Sequence, residues 1–281
     1  MGKLSQLLEL MNNLGCKIRV MDGKRSKKPL FDLLQKQYPQ YHKNQFEAFL
    51  ACRQIIIAGE TCTSLETLYP QESRVDIMFT RYVSRGGLKL EYALRSWSIN
   101  VNNVVMLDAG SSTGGFTDCL LQHGASLVHA VDVGYNQLDY KLRVDGRVQV
   151  HERQNIMHIT SLDPQPAAAV ADLSFRSITG AASHILSLTS QSWMIALIKP
   201  QFEIAKGTHQ FSGVVTGDQL LVETLLAVYK TLQEEGVGIE AIVESPILGR
   251  KGNREFLALL GYGIHLDLLK FSSALEALVF P

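Results

Sequence analysis

The chain has 281 residues, 46% of them hydrophobic and 19% charged, which suits one large globular domain or two unequal ones with a sizeable core. Its longest unbroken apolar run is Trp193 to Ile198, far short of the roughly 20 residues that a membrane-spanning helix needs. Net charge is zero but unevenly spread. Residues 1–100 carry 15 Lys and Arg against 9 Asp and Glu, and the remainder 12 against 18, so the front half suits a polyanionic partner.

The N-terminal stretch "MGKLSQLLELMNN" is interrupted by Glu9 and two asparagines too early for a signal-peptide core, and Gln6 stands where a myristoylation signal wants Ser or Thr. The four cysteines, Cys16, Cys52, Cys62 and Cys119, form no C-x-x-C pair, and the histidines show no zinc spacing. Neither a disulfide framework nor a metal is expected, and the localisation expected is cytoplasmic. Residues 1–28 are an extension ending in the basic linker "DGKRSKKP". Residues 29–80 form a small α+β unit. "PLFDLLQKQYP" and "KNQFEAFLACRQ" have helical spacing, and "IIIAGETC" reads as strand, turn and strand.

Residues 81–281 form the larger unit. "RYVSRGGLKLEYAL" predicts a helix, after which strands and helices alternate. "NVVMLDAG" is a strand, "GGFTDCLLQHG" a helix, "SLVHAVDVG" a strand, "YNQLDYKLR" a helix and "RVQVHE" a strand. "AAAVADLSF", a helix near 176–188, "WMIALIKP", a long helix at 217–235 and "GIEAIVESPI" continue the series. "NREFLALLG", with Glu255 at a helix start, and "IHLDLLKF" close it. Such alternation implies an α/β fold with a mostly parallel sheet, whose ligands sit beyond the carboxyl ends of the strands.

The loop after the first strand, "LDAGSSTGGFTDC", narrows the ligand. A phosphate-cradling P-loop needs a lysine, and none lies between Arg95 and Lys141. Gly110, Gly114 and Gly115 match the dinucleotide pattern G-x-G-x-x-G poorly. S-adenosylmethionine, which has an amino acid end and a ribose but no phosphate, fits better. Glycines admit its approach, a helix N-terminus at Thr113–Phe116 offers amides to its carboxylate, and Asp132 at the next strand end suits its ribose diol. The same letters also satisfy the G-x-S-x-G elbow of serine hydrolases, with Ser112 as nucleophile, although no strands precede it in residues 81–103. Three further strand ends carry charged groups: Asp172, Lys199 and Glu244.

"YVSRGGLKL", "LDAGSSTGGFTD", "AVDVGYNQL", "ADLSF", "IKPQFE" and "GNREF", in that order over about residues 30–270, closely resemble the TlyA family. Its members are often labelled hemolysins and look like FtsJ-related ribosomal RNA 2′-O-methyltransferases. The resemblance implies a Rossmann-like methyltransferase domain preceded by a small S-four-like RNA-binding domain, which residues 29–80 match in outline. It also implies a Lys-Asp-Lys-Glu catalytic set on Lys89, Asp172, Lys199 and Glu255, with Glu244 outside the matching motif. S-adenosyl-L-methionine would meet Asp108, Gly110, Ser112, Gly115, Phe116, Asp132 and Asn155. The substrate implied is ribosomal RNA or a ribosomal subunit, with a cytidine ribose as target.

The chemistry of that set is coherent by itself. A ribose hydroxyl must lose its proton as it attacks, and a lysine can take it if burial and a second cation lower its pKa. Lys199 beside Lys89 would supply that, with Asp172 and Glu255 orienting the two ammonium groups. Arg81 and Arg85 are candidates for guiding RNA, with capping the interdomain connection as the alternative. A membrane-active hemolysin without enzymatic activity is the remaining alternative, disfavoured by the lack of a spanning segment.

Overall fold

The computed structural model describes residues 26–51, 54–77, 81–174, 176–204, 213–215, 217–249, 252–263 and 266–280. The extension expected at residues 1–25, with Cys16, and Cys52 further on, lie outside them. The chain divides into two compact units, Met1–Met78 and Phe79–Pro281.

In the smaller unit, strand β1 (Lys27–Pro29) pairs antiparallel with β4 (Leu68–Pro70). Helices α1 (Leu30–Gln37) and α2 (Lys43–Ala51) precede β2 (Ile55–Ile57), which forms a small antiparallel sheet between β3 (Glu60–Thr61) and β5 (Asp76–Ile77). Leu30, Leu33 and Leu34 recur at helical spacing, and all three are buried against Phe46, Ile55 and Ile77. Edge-to-face pairs Phe31–Phe46 and Tyr41–Phe49 extend that core. The side chain of Gln37 accepts from Val75 N at 3.0 Å and donates to Ser73 O at 2.9 Å, tying α1 to the strand end.

The larger unit opens with helix α3 (Gly86–Ser96) and is built on a seven-stranded sheet. Its strands are β6 (Val105–Ala109), β7 (Leu127–Asp132), β8 (Val148–Glu152), β9 (Ala168–Ala171), β10 (Trp193–Ile198), β11 (Gly238–Glu244) and β12 (Phe256–Gly261). The spatial order is β11-β12-β10-β9-β6-β7-β8, parallel throughout except for β12, which runs against both neighbours. The strands are apolar on both faces because helices cover both. On β10, Met194, Ala196 and Ile198 join one core while Ile195 and Leu197 join the other. The first core is closed by α6 (Ala182–Ser187), α8 (Asp218–Glu234) and α9 (Leu268–Val279), and the second by α3 and α4 (Gly115–Gln122). Free Cys62 and Cys119 are buried, as the expected lack of a disulfide framework allows.

Three expectations are corrected. Residues 256–261 form strand β12, so Glu255 stands at the start of a strand and not of a helix. "FLALLG" is a short apolar run flanked by β10 and β11, where pairing on both sides outweighs its helix-forming leucines. "YNQLDYKLR" yields only α5 (Tyr140–Arg143), which starts where the Asp139 side chain accepts from Lys141 N. The helix expected near 176–188 shrinks to α6, because residues 177–180 are held in a turn by side-chain bonds.

Candidate functional site

Strand β6 runs directly into the glycine loop at the carboxyl edge of the sheet. Gly110 has φ +87°, and a Cβ there would lie 2.6 Å from the Asp172 carbonyl oxygen, so only glycine fits between the ends of β6 and β9. The amides of Gly110 and Ser111 both donate to Val131 O, at 2.8 and 3.0 Å. Ser112 is also left-handed, with φ +47°. Its amide donates to Asp132 Oδ2 at 2.8 Å, while Asp132 Oδ1 accepts from Gly134 N at 2.6 Å. Two backbone donors therefore fix the carboxylate at the end of β7. Gly115 opens α4 so close to α3 that a Cβ would meet Ser84 Oγ at 2.1 Å and Gly87 N at 3.0 Å.

Beyond this edge lies a cavity of about 640 Å³, walled by Gly110, Ser112, Asp132, Gln137, Asn155 and Asp172 among others. A smaller cavity of about 110 Å³ includes Ser84, Lys89, Gly115, Phe116 and, again, Gly110 and Asp172. Asp172 thus faces both. Asn155 caps a single 3₁₀ turn (Ile156–His158) by accepting from Met157 N at 3.1 Å, which presents residues 154–156 to the larger cavity. Asp108 lines neither cavity. It is fully buried beneath the loop, where its Oδ2 accepts from Thr117 Oγ1 at 2.6 Å. Burial raises its pKa to about 7, and the neighbouring Asp172 and Asp132 charges add to the rise.

Four charged residues from distant parts of the chain meet at the same edge. Lys89, on the first turn of α3, donates to Glu255 Oε2 across 166 residues of sequence. The antiparallel run of β12 makes this contact possible, since it brings the strand's beginning to the edge where its neighbours end. Lys199 follows β10, and its Nζ lies 2.5 Å from Asp172 Oδ1 while donating to Leu173 O at 3.0 Å and to Ser174 Oγ at 3.4 Å. Lys89, Lys199 and Glu255 are each less than a tenth exposed. Each ammonium therefore has its own carboxylate, which offsets most of the desolvation cost of burying it.

Other charged residues are occupied elsewhere. Glu244 is gripped through both oxygens by Arg254, at 2.8 and 2.6 Å, and Arg254 also reaches Asp218. Arg81 pairs with Glu91, and Arg85 donates to the Leu248 carbonyl, so both cations expected to guide RNA make contacts within the domain. The hydrolase reading does not survive. Ser112 Oγ lies 3.5 Å from Gln137 Oε1, and neither cavity has a histidine in its wall among the described residues to act as its base. No helix of the described residues is long and apolar enough to cross a membrane.

Sequence reasoning missed Gln137 and Gln154 in the cavity wall, and two residues inside motifs it had quoted. Asn253 of "GNREF" accepts from Val215 N at 2.8 Å and donates to Gly213 O at 3.0 Å. Glu203 of "IKPQFE" bonds Ser177 Oγ and Ile178 N. Their placement inside short runs of mixed polarity, directly after a strand or before one, was the available signal.

Residues 82–262 match the family model described as FtsJ-like methyltransferase. A Bacillus subtilis protein described as a candidate rRNA methyltransferase, YqxC, is 44% identical over 181 residues, 63% of this chain and 64% of its own length. The 16S/23S rRNA (cytidine-2′-O)-methyltransferase TlyA of Mycobacterium tuberculosis is 42% identical over 178 residues, 62% of this chain and 66% of its own. The matched stretch thus spans just under two thirds of either relative. A solved structure from Streptococcus thermophilus, described as a candidate hemolysin, superimposes with a TM-score of 0.70 at 32% identity, covering 91% of this chain and 95% of that one.

Proposed function

Since the chain belongs to the FtsJ-like methyltransferases, and within them to the TlyA group, we propose that it methylates a ribose 2′-hydroxyl of ribosomal RNA, with a cytidine as the target nucleotide. The observation that carries this reading is the pair of buried lysine–carboxylate contacts, Lys89–Glu255 and Lys199–Asp172, beside two cavities that share Asp172. The matched relatives named as 2′-O-methyltransferases of cytidine support the nucleotide.

The methyl donor of this family is S-adenosyl-L-methionine, and the larger cavity suits it. Its volume lies within the range of small-molecule sites. Its wall carries Asp132 and Asp172 against one cation, Arg176, a balance that favours a ligand with net positive charge. Asp132, fixed by two backbone amides, would hold the ribose diol, and Asn155 the adenine side. Gly110, Ser112, Gly115 and Phe116 would form the floor, with Asp108 supporting it from below through Thr117. The cofactor supplies a methyl group on a sulfonium, whose departure as a neutral thioether needs no acid.

The protein's work is therefore to orient the hydroxyl and take its proton. Lys199 is the residue we assign to the proton. Its Nζ donates to Leu173 O and Ser174 Oγ and pairs with Asp172, which lies in the wall of both cavities. Lys89, held by Glu255 at the smaller cavity, would steer the hydroxyl and the adjoining phosphate. The smaller unit, on which Lys27, Lys28, Lys36 and Lys43 are exposed, is assigned to RNA binding as an S-four-like domain. Binding of that kind weakens steeply with salt. A ribosomal substrate places the enzyme in the cytoplasm.

The test is transfer of radiolabelled methyl groups to ribosomal subunits from cells lacking the protein, with Lys199→Ala alongside. Label is expected in alkali-resistant dinucleotides, reduced about a thousandfold in the variant, with cofactor binding retained. Near-normal transfer by the variant would remove Lys199 from the proton's path, and no label on either subunit would remove the substrate assignment.

A further inference from the structure

After β9 the chain runs through residues 172–181, and Asp172, Leu173, Ser174 and Arg176 of that segment wall the larger cavity. Two groups from the short stretch after β10 hold it. Lys199 takes the beginning, through Asp172, Leu173 O and Ser174 Oγ. Glu203, at the end of the four-residue helix α7 (Pro200–Glu203), takes the later part. Its Oε1 accepts from Ile178 N at 3.1 Å and its Oε2 from the Ser177 hydroxyl. With the Ser177 proton committed to Glu203, Ser177 Oγ must accept from Thr179, whose hydroxyl lies at 2.6 Å and whose amide lies at 3.0 Å.

These bonds lock residues 177–179 into a turn, and the cavity wall lies directly before it. Among the described residues Glu203 is held by neutral donors, and burial pushes its carboxyl above the usual range. A partly buried acid in that condition is costly, so its use next to a ligand cavity points to geometry that function requires.

We propose that Glu203 is a positioning residue for methyl transfer, fixing through Ser177 and Ile178 the wall formed by Leu173, Ser174 and Arg176 and the Asp172–Lys199 pair within it. The activity part of this inference rests on the function proposed above, whereas its effect on cofactor affinity rests on the cavity alone.

The experiment compares Glu203→Ala, Glu203→Gln and Ser177→Ala with the wild type. It measures folding by circular dichroism, the dissociation constant for S-adenosyl-L-homocysteine by calorimetry, and single-turnover transfer to saturating ribosomal RNA. Glu203→Ala is expected to weaken binding about tenfold and to slow transfer per cofactor-competent molecule by up to about a hundredfold, as a displacement near 1 Å can. Glu203→Gln retains an acceptor for Ile178 N and, with the Ser177 hydroxyl turned toward Thr179, an amide for Ser177 Oγ, so it should recover both quantities to within about threefold. Ser177→Ala, losing one bond of the two, should fall between. A merely structural role would lower the melting temperature and leave both quantities per folded molecule unchanged, and that result would overturn the proposal. Should Glu203→Ala fail to fold, wild-type affinity and rate in Ser177→Ala would overturn it equally. Tight wild-type binding without any transfer to RNA would defeat the substrate assignment and leave the affinity comparison to decide the role of Glu203.

Discussion

Two of the places where the sheet domain buries polar groups treat them in opposite ways. At the edge where β9 and β10 end and β12 begins, Lys199 and Lys89 are buried with carboxylate partners, and Asp172 and Lys89 line a cavity. Inside the sheet, on neighbouring strands β7 and β8, the buried His129 meets the half-buried His151, with Nδ1 of His129 3.1 Å from Nε2 of His151. The other nitrogen of His129, Nε2, lies 2.8 Å from Pro164 O, an atom that can only accept. That nitrogen must carry the hydrogen, which leaves Nδ1 to accept from His151. The first region keeps charge by pairing it beside a void, and the second excludes charge by satisfying two neutral rings. Burial alone therefore does not mark a reactive group. What marks it is a retained charge with open space beside it.

If that distinction holds, substitutions at the edge should affect transfer first, and substitutions in the sheet should affect stability alone. After Lys199→Ala, the largest effect is expected from Lys89→Ala. It leaves Glu255, 4% exposed, without its cation, and breaking a buried pair from one side costs on the order of 3 kcal/mol. Transfer should fall at least a hundredfold. The double variant Lys89→Met, Glu255→Leu should regain most of the melting temperature and none of the activity. Recovery of activity in the double variant would mean that the pair is scaffolding, like Arg254 and Glu244.

Those two outcomes also separate what the sequence could reveal from what it could not. The glycine loop, Asp132, Asp172 and Lys199 were legible because each lies within a residue or two of a strand end, where an open α/β sheet binds its ligands. The pairing of Lys89 with Glu255 came only through the family resemblance. It depends on a strand reversal, and the run "FLALLG" that reverses is equally compatible with helix and strand in isolation. Glu203 and Asn253 carried only the weak signal of their place beside a strand, for a related reason. Their partners, Ser177 and Gly213, lie 26 and 40 residues away in loops whose shape only the packed structure defines. The histidine pair left no trace either, because one histidine per strand looks like an ordinary core position.

A smaller effect tests Asp108, which lies at the boundary between the two regions. It is buried like His129, yet it sits directly under the glycine loop and carries a carboxyl rather than a ring. Its pKa rises to about 7 in the fold, so the folded state holds the proton more tightly than the unfolded chain does. Stability from this group is full below the ordinary carboxylate range and is lost as pH rises through 7. Asp108→Asn keeps an acceptor for Thr117 and never ionises. Its melting temperature should come nearest the wild type at about pH 4 and exceed it at pH 8. A variant equally destabilised at both values would show that the ionised carboxylate is what the loop requires.

The smallest effect is expected at the histidines, and its sign is opposite. Burial lowers the pKa of both rings below the ordinary histidine value, and for His151 the neighbouring His129 adds to the fall. The folded state therefore binds fewer protons than the unfolded one, so stability is full above about pH 6.5 and declines as the pH falls below it. A proton on Nδ1 of His129 would confront the N–H of His151 across 3.1 Å, which the pair cannot accommodate without opening the contact between β7 and β8. His151→Gln keeps a donor for Nδ1 and removes one titrating ring. Between pH 7 and 5 its melting temperature should fall less steeply than that of the wild type, by at most the ~1.4 kcal/mol per pH unit that one proton allows. Methyl transfer at pH 7.5 should be unchanged. A loss of transfer in that variant would be the sharper result, because it would tie the β7–β8 interior to the Asp132 end of the same strand.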